Sequence, residues 1–575
     1  MALLISIAFT LFSSLSVLSA DCEGPRLVFA DRDVITRLRN VDGEFTPPSI
    51  LNSVQPHAAV TVGNYSFNEY DFMQETETSH FIPIPGYTIK TGGIWKNMYV
   101  ALGVDQNDYF KMCFTNLSHP LVCANPSVMN TIEKSLHTDR GFNFVNITIY
   151  EHDNTADMYA AIWVYDGPGI YRYGASPLRP IARDGITRLF TVLLSVRPDN
   201  MGDNRAYTFF TKNVNYEESD MYDRPVHSYI LQVCMSDEGG HKNFYQQQWT
   251  TELTAKLYCG YKNGKTFSEL VSVDFVESDY WKNVTIYALF RNEWGMSAVC
   301  AYSVDTINTA FTTAAFFTDS ATTPPRTCPK GKQNHGVLGK YINQQWELKH
   351  PIEPDVRHPL FHSYYSYTHI VINQADNTIM YASTENGAIH KIVVGENGVA
   401  VIVVEFIPYN HTDVVLDMTL SPSGDFLYVK SETEIVEILV QDCSRYGETC
   451  EDCVLSRDPA CGWDGVKCSR QGAVKSRTGD ISGCKGAHEK TDEMPAVAVR
   501  TSSSLILHCE RNSMMANYGW RTPLGFTDCE SDAMDCLFYV DETEKKDAGN
   551  YTCVYEEGGF SKNQIHSVSV IDSCE

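Results

Sequence analysis

The stretch CEDCVLSRDPACGWDGVKC, Cys450 to Cys468, carries four cysteines in nineteen residues, two of them as Cys-x-x-Cys. A zinc site, a thiol–disulfide redox centre and a disulfide knot all use such spacing. A redox centre wants the motif opening a helix after a strand, whereas this one sits among turn residues, Asp458-Pro459 and Asp464-Gly465. No matching second Cys-x-x-Cys follows to complete a zinc tetrad. The compartment decides, because thiolates in an oxidising compartment pair with each other.

The chain opens MALLISIAFTLFSSLSVLSA, an apolar stretch with no acidic residue and small residues up to Ala20. It reads as a secretory signal peptide (residues 1–20); its apolar core is short for the alternative, a membrane anchor. The most apolar later run, GVAVIVVEFI from Gly398, is about ten residues, too short to span. The end, VIDSCE, has no hydrophobic tail for a lipid anchor. The expected product is secreted and extracellular, without membrane insertion. Eighteen cysteines then read as nine possible disulfides. Six Asn-x-Ser/Thr sequons, at Asn64, Asn116, Asn146, Asn283, Asn410 and Asn550, fit export as glycosylation sites. The Cys450 stretch is therefore read as a disulfide knot.

A net charge of −26 disfavours nucleic acid and heparin-like polyanions, and no Lys/Arg run exceeds two. At 575 residues the chain holds more than one domain. Cysteine density divides it. Residues 21–441 carry seven cysteines, 442–484 carry six, and 495–575 carry five. The polar KGAHEKTDEMP, Lys485–Pro495, reads as a linker. The first region is all-β: runs such as NITIYEH, MYAAIWVYDG and GDFLYVKSETEIVEILVQ are short strands between turn residues. A β-propeller or several sandwiches would accommodate them, and the lack of an internal break favours a propeller with long, divergent blades. DTINTAFTTAAFF, from Asp305, is a helix candidate. The third region has an immunoglobulin-like β-sandwich signature. Cys509 and Cys553 are spaced for an inter-sheet disulfide, Trp520 lies between them, and Tyr551 sits two residues before the second cysteine.

DCSRYGETCEDCVLSRDPACGWDGVKC resembles the PSI module of plexins, semaphorins and integrins, in the form semaphorins use. Further stretches resemble semaphorins in order: CFTNLSHPLVC (Cys113–Cys123), MYAAIWVYDGPGIYR, NRAYTFFTKN, VCMSDEGGHKNFYQQQWTTELTAKLYC (Val233–Cys259), GMSAVCAYSVDTINTAF (Gly295–Phe311), PPRTCP (Pro324–Pro329) and NGAIHKIVV. The resemblance implies a seven-bladed sema propeller over 21–441, a PSI domain over 442–484 and an Ig-like domain over 495–575. It also implies disulfides Cys113–Cys123, Cys234–Cys328, Cys259–Cys300, Cys443–Cys461, Cys450–Cys484 and Cys453–Cys468. Cys22, Cys529, Cys536 and Cys574 are left over: Cys529 and Cys536 can pair locally, and Cys22 and Cys574 can pair within the chain or link two chains. The usual cysteine before the first loop is missing from VDQNDYFKMC, and the sema region is short for the family. With no basic tail and no Arg-Gly-Asp, the chain resembles virus-encoded and class 7 semaphorins, with integrin binding in doubt.

No catalytic constellation stands out, so neither an enzyme nor a cofactor is expected. GMSAV lacks the last glycine of a nucleophile elbow, and the HEK at His488 does not extend to His-Glu-x-x-His. The resemblance implies recognition: a plexin ectodomain as partner, of C type ahead of A or B, and a homodimer formed through the sema domain. Such a ligand would signal to change adhesion, migration or immune-cell behaviour, in a viral setting as a host mimic; a non-signalling decoy is the alternative. Candidate contacts lie on the loops Arg197–Asn204, Asn215–Arg224 and Ser236–Asn243. They are Asn204, the acidic cluster Glu217, Glu218, Asp220 and Asp223, and Asp237, Glu238 and His241. The cluster would steer a basic receptor patch.

Overall fold

The computed structural model describes residues 25–572 except 31–34, 41–44, 53–57, 74–78, 85, 108, 117–126, 137–141, 153, 165–166, 182–184, 214–225, 241–246, 263, 318–325, 330–345, 397, 410–413, 487, 511–512 and 530–534. The expected signal peptide lies outside the described residues, as do Cys22, Cys123, Cys574 and Asn410. The chain forms two compact units, 30–389 with 407–441, and 1–29 with 390–406 and 442–575.

The larger unit is built on a seven-bladed β-propeller. Its central strands are buried on both faces; every residue of Ala58–Gly63 and Ile379–Thr384 is buried. Such strands read in sequence as continuous apolar runs without alternation. The first blade comprises Phe45–Asn52, Ala58–Gly63, Ser66–Asp71 and Ser79–Pro83, and the second Thr88–Trp95, Met98–Val104 and Phe110–Thr115. The third comprises Asn143–His152, Thr155–Trp163 and Gly169–Tyr173. The fourth runs Ile186–Ser195, Arg205–Asn213, Val226–Cys234 and Leu253–Lys256, the fifth Glu269–Val276, Thr285–Arg291, Ser297–Ser303 and Phe361–Ser363. Tyr367–Ile372 and Ile379–Thr384 begin the sixth. The seventh takes Asp417–Leu420, Phe426–Lys430 and Glu434–Leu439, and is completed by Ile35–Asn40 from the start of the region.

The core lies between consecutive blades. Phe67 packs with Tyr99 and Ala101, Phe114 with Phe144 and Met158, Tyr159 with Phe210 and Leu231, and Phe209 with Ile286 and Cys300. The first strands of consecutive blades run side by side, and their facing N–H groups find side-chain acceptors on the neighbour. Asn146 Oδ1 accepts from Val192 N (3.2 Å), Asp274 Oδ2 from Ile372 N (2.7 Å), and Asp417 Oδ2 from Ile50 N (3.2 Å). Burial pushes the Asp274 carboxyl up to about 6, outweighing the backbone N–H groups that hold it down.

The expected helix forms over Val304–Thr313, with Ser303 Oγ accepting from Thr306 N. Val304, Ile307 and Phe311 face inward, and Ala314 is already extended. A second helix, Asn130–Leu136, was not expected; Ile132 and Leu136 supply its buried apolar side, with Met129 from the turn before it.

In the smaller unit the Cys450 stretch does open a helix, Cys450–Leu455, contrary to the turn reading. Thr449 caps it, Oγ1 accepting from Asp452 N at 3.1 Å. Its cysteines bond elsewhere rather than to each other: Cys450 to Cys484, Cys453 to Cys468, with Cys443–Cys461 alongside. Those partners remove the redox reading. Asp458, fully buried, accepts from Lys391 Nζ, Tyr446 Oη (2.6 Å) and Ala460 N (3.1 Å).

Two further sheets follow. One holds Glu489–Glu493, Val497–Arg500, Asn517–Thr522, Gly525–Asp528, Gly549–Glu557 and Phe560–Ile571; the other pairs Leu505–Glu510 with Asp535–Val540. Cys509–Cys553 joins the sheets, Trp520 is 1% exposed, and Tyr551 Oη donates to Asp547 O (2.8 Å). Cys529 bonds Cys536. The expected linker is in part a strand: Glu489–Glu493 pairs in parallel with Phe560–Ile571. Its EKTDE sequence suits a solvent-facing edge and so gives no apolar signal. Within this unit Arg26, 2% exposed, pairs with Glu557 (3.1 Å), which also accepts from Arg457 (3.2 Å) and Tyr555 Oη (2.8 Å).

Candidate receptor-binding surface

Two turns meet at one end of the fourth blade. Arg205 opposes Cys234 across the sheet, so the turn before Arg205 and the segment after Cys234 emerge together. Met235 N donates to Asn204 O (2.8 Å), and Ser236 Oγ lies within bonding distance of the Gly202 and Pro329 carbonyls (3.1 and 3.0 Å). Cys234–Cys328 pins the segment carrying Pro329, with Cα atoms 5.5 Å apart.

Beneath the turns lies an ion triad. Asp203 pairs with both Arg197 and Arg205, whose side chains are 4% and 3% exposed. Arg197 also stacks 3.9 Å over the Trp281 ring and donates to Asn308 Oδ1 (3.0 Å). Two buried guanidiniums sharing one carboxylate hold the turn in one geometry.

This packing changes the roles expected for two candidates. Asn204 is 3% exposed; its Oδ1 accepts from Arg197 N (2.7 Å). Asp237 is fully buried, its carboxylate accepting from Gly239 N, Thr250 N, Thr250 Oγ1 and Thr251 Oγ1 at 2.7–3.0 Å. Both shape the loops and offer nothing to a partner. Glu238 is exposed as expected. Glu217, Glu218, Asp220, Asp223 and His241 lie outside the described residues. The exposed rim is instead Pro198, Asp199, Asn200, Met201 and Glu238, with Met201 69% exposed. A methionine flanked by acids supplies an apolar anchor with a negative surround.

Arg172 was missed. It is 4% exposed, donates to the carbonyls of Ser176, Met235 and Asp237, and stacks 5.3 Å over Trp249. The signal was available: an arginine inside the apolar strand GIYRY needs buried partners. Among the sequons, Asn116, Asn283 and Asn550 are exposed and Asn64 is half-buried. Asn146 is half-buried, with Oδ1 committed to Val192 N and Thr191 Oγ1.

The residues thus form a β-propeller followed in sequence by a three-disulfide module. Comparisons go further. Residues 271–422 match the Sema domain and 442–490 the Plexin repeat. The chain is 28% identical over 400 residues to human Semaphorin-7A, covering 64% of this chain and 60% of that protein. The structure resembles Drosophila Semaphorin 2a (TM-score 0.65, 17% identity, 95% of this chain and 99% of that one). It also resembles a structure described as Drosophila Plexin A in complex with Semaphorin 1b (TM-score 0.56, 17% identity, 76% and 93%). The chain carries a Sema domain and a Plexin repeat and is similar to semaphorins, the class 7 member among them. It spans about 60% of the length of Semaphorin-7A. Among the described residues no helix is long and apolar enough to cross a membrane.

Proposed function

We propose that this chain is an extracellular ligand that binds a plexin ectodomain through its sema propeller, at the rim formed by Asp199, Met201 and Glu238. As a homodimer it would bring two receptors together, and signalling would follow from that geometry rather than from chemistry. The single observation behind the reading is the sema domain joined to a plexin repeat, on a fold shared with a structure of a plexin–semaphorin complex. The disulfides support an oxidising, extracellular setting. We favour a C-type plexin, on the class 7 likeness, and effects on adhesion, migration or immune cells. We divide the chain into sema, PSI and immunoglobulin-like domains and start the third at Glu489 rather than Pro495, because that strand belongs to its sheet.

The test is binding of the purified protein to a panel of plexin ectodomains, with its mass in solution measured on the same sample. A dimer that binds one plexin with nanomolar affinity supports the reading. A strict monomer that binds and blocks signalling replaces the ligand with a decoy. No binding to any plexin removes the function.

A further inference from the structure

The net charge of −26 argues against polyanionic partners, but one face of the propeller departs from that average. Between the fourth and fifth blades a short hairpin pairs Cys259–Gly260 with Thr266–Phe267. Its turn is closed by Tyr261 N donating to Lys265 O and Gly264 N to Tyr261 O, both at 3.0 Å. The turn carries exposed Lys262 and Lys265, and residues 256–267 contain no acid. Cys259–Cys300 fixes the base of the hairpin.

A second segment, about a hundred positions later, lies alongside, with Tyr258 N donating to Ile352 O (2.9 Å). It stacks His358 on Tyr261, centroids 6.3 Å apart and planes 3° apart, and sets His362 edge-on with Nδ1 2.9 Å from Tyr261 Oη. His358 Nδ1 lies 2.8 Å from Pro359 O, a contact that orients the ring. Arg357 is exposed and held in the left-handed region at φ 59°, uncommon for a residue with a side chain. Tyr364 is 57% exposed, with Lys265 Nζ 4.8 Å from its ring centroid. The segment's acids are Glu353, which is exposed, and Asp355, whose carboxylate is taken by Ser303 N and Oγ at the start of the helix Val304–Thr313. Across the hairpin turn and this segment, three exposed cations, Lys262, Lys265 and Arg357, stand against the two carboxylates of Glu353 and Asp355.

We propose that this face binds a sulfated, uronate-containing glycan chain. Arg357 and the two lysines meet sulfate and carboxylate oxygens with charge-assisted hydrogen bonds. Tyr364 and His358 offer ring faces to the C–H faces of the sugar rings, a platform that a run of carboxylates does not use. The hairpin and the returning segment are pinned by a disulfide and stacked rings, so little ordering is needed on binding.

The experiment uses the full chain and a surface bearing heparin dodecasaccharide, with a desulfated form and soluble poly-glutamate as competitors. Lys262→Glu/Lys265→Glu is expected to weaken binding about tenfold or more and to flatten its salt dependence. Lys545→Glu/Lys546→Glu, on the smaller unit, should leave it within about twofold. Tyr364→Ala should weaken it about threefold or more. Thermal unfolding of each variant confirms that it folds. Heparin binding unchanged by the turn reversal overturns the site. Poly-glutamate competing as well as heparin, with Tyr364→Ala silent, overturns the glycan and leaves an acidic protein segment as occupant.

Discussion

The Asp417 carboxylate accepts a hydrogen bond from the backbone N–H of Ile50, 3.2 Å away and 367 positions earlier, and so ties the seventh blade to the first. Ile50 is 4% exposed, so its N–H has no water to turn to if the carboxylate is removed. Asp417→Ala should destabilise the protein by about 1–3 kcal/mol, and Asp417→Asn by less, because an amide oxygen still accepts. Denaturant titration checks both.

Asp274 makes the equivalent contact between the fifth and sixth blades, with its carboxyl raised from 3.8 to about 6. A group that holds its proton more tightly when folded contributes stability that is full below about pH 4 and lost as pH rises through about 6. Asp274→Asn does not titrate there. The melting temperature of the native protein, measured against that variant, should therefore fall between pH 4 and pH 6.5. A constant difference would show that burial does not control this carboxyl.

The Arg26–Glu557 pair predicts an asymmetry. Arg26→Met removes the buried cation from Glu557, leaving partners such as Arg457, Tyr555 and Ser513, and should cost about 3–5 kcal/mol in the smaller unit. Adding Glu557→Gln should recover part of that loss. Differential scanning calorimetry of the two variants reads this directly.

At the proposed rim, shape and contact should separate. Asn204→Ala removes the acceptor for Arg197 N and should lower stability by about 1–2 kcal/mol, weakening receptor binding only through the loop. Asp199→Lys with Glu238→Lys should leave stability unchanged and slow association with the receptor about tenfold at low salt, an effect that fades as salt rises. Surface plasmon resonance at two ionic strengths distinguishes them.

The parts legible in the sequence are those set by local spacing. The cysteine clusters, the strand-rich first region, the Cys509–Trp520–Cys553 pattern and the helix at Val304 all depend on near neighbours. What escaped depends on distant ones. Asp237 in SDEGG reads as a solvated turn, yet Thr250 and Thr251 consume its carboxylate and Arg172 takes its carbonyl. Glu489–Glu493 has a linker's composition and becomes a strand only because Phe560–Ile571 offers an edge. The helix Asn130–Leu136 is seven residues long, too short for its inward side to stand out as a period. The cationic face joins residues around 262 and 357, neither of which is basic enough alone to draw notice.

The pairing of Ile35–Asn40 with Glu434–Leu439 has a consequence for biosynthesis. The ring cannot shut until nearly four hundred residues beyond its first strand have left the ribosome. At about 5–20 residues per second that strand waits roughly 20–80 s with an open edge. For that interval the nascent chain is a template for mispairing, and chaperones that shield the open edge would raise the yield of the finished protein. A chain that stops anywhere before Glu434 leaves the ring unclosed and that edge unpaired.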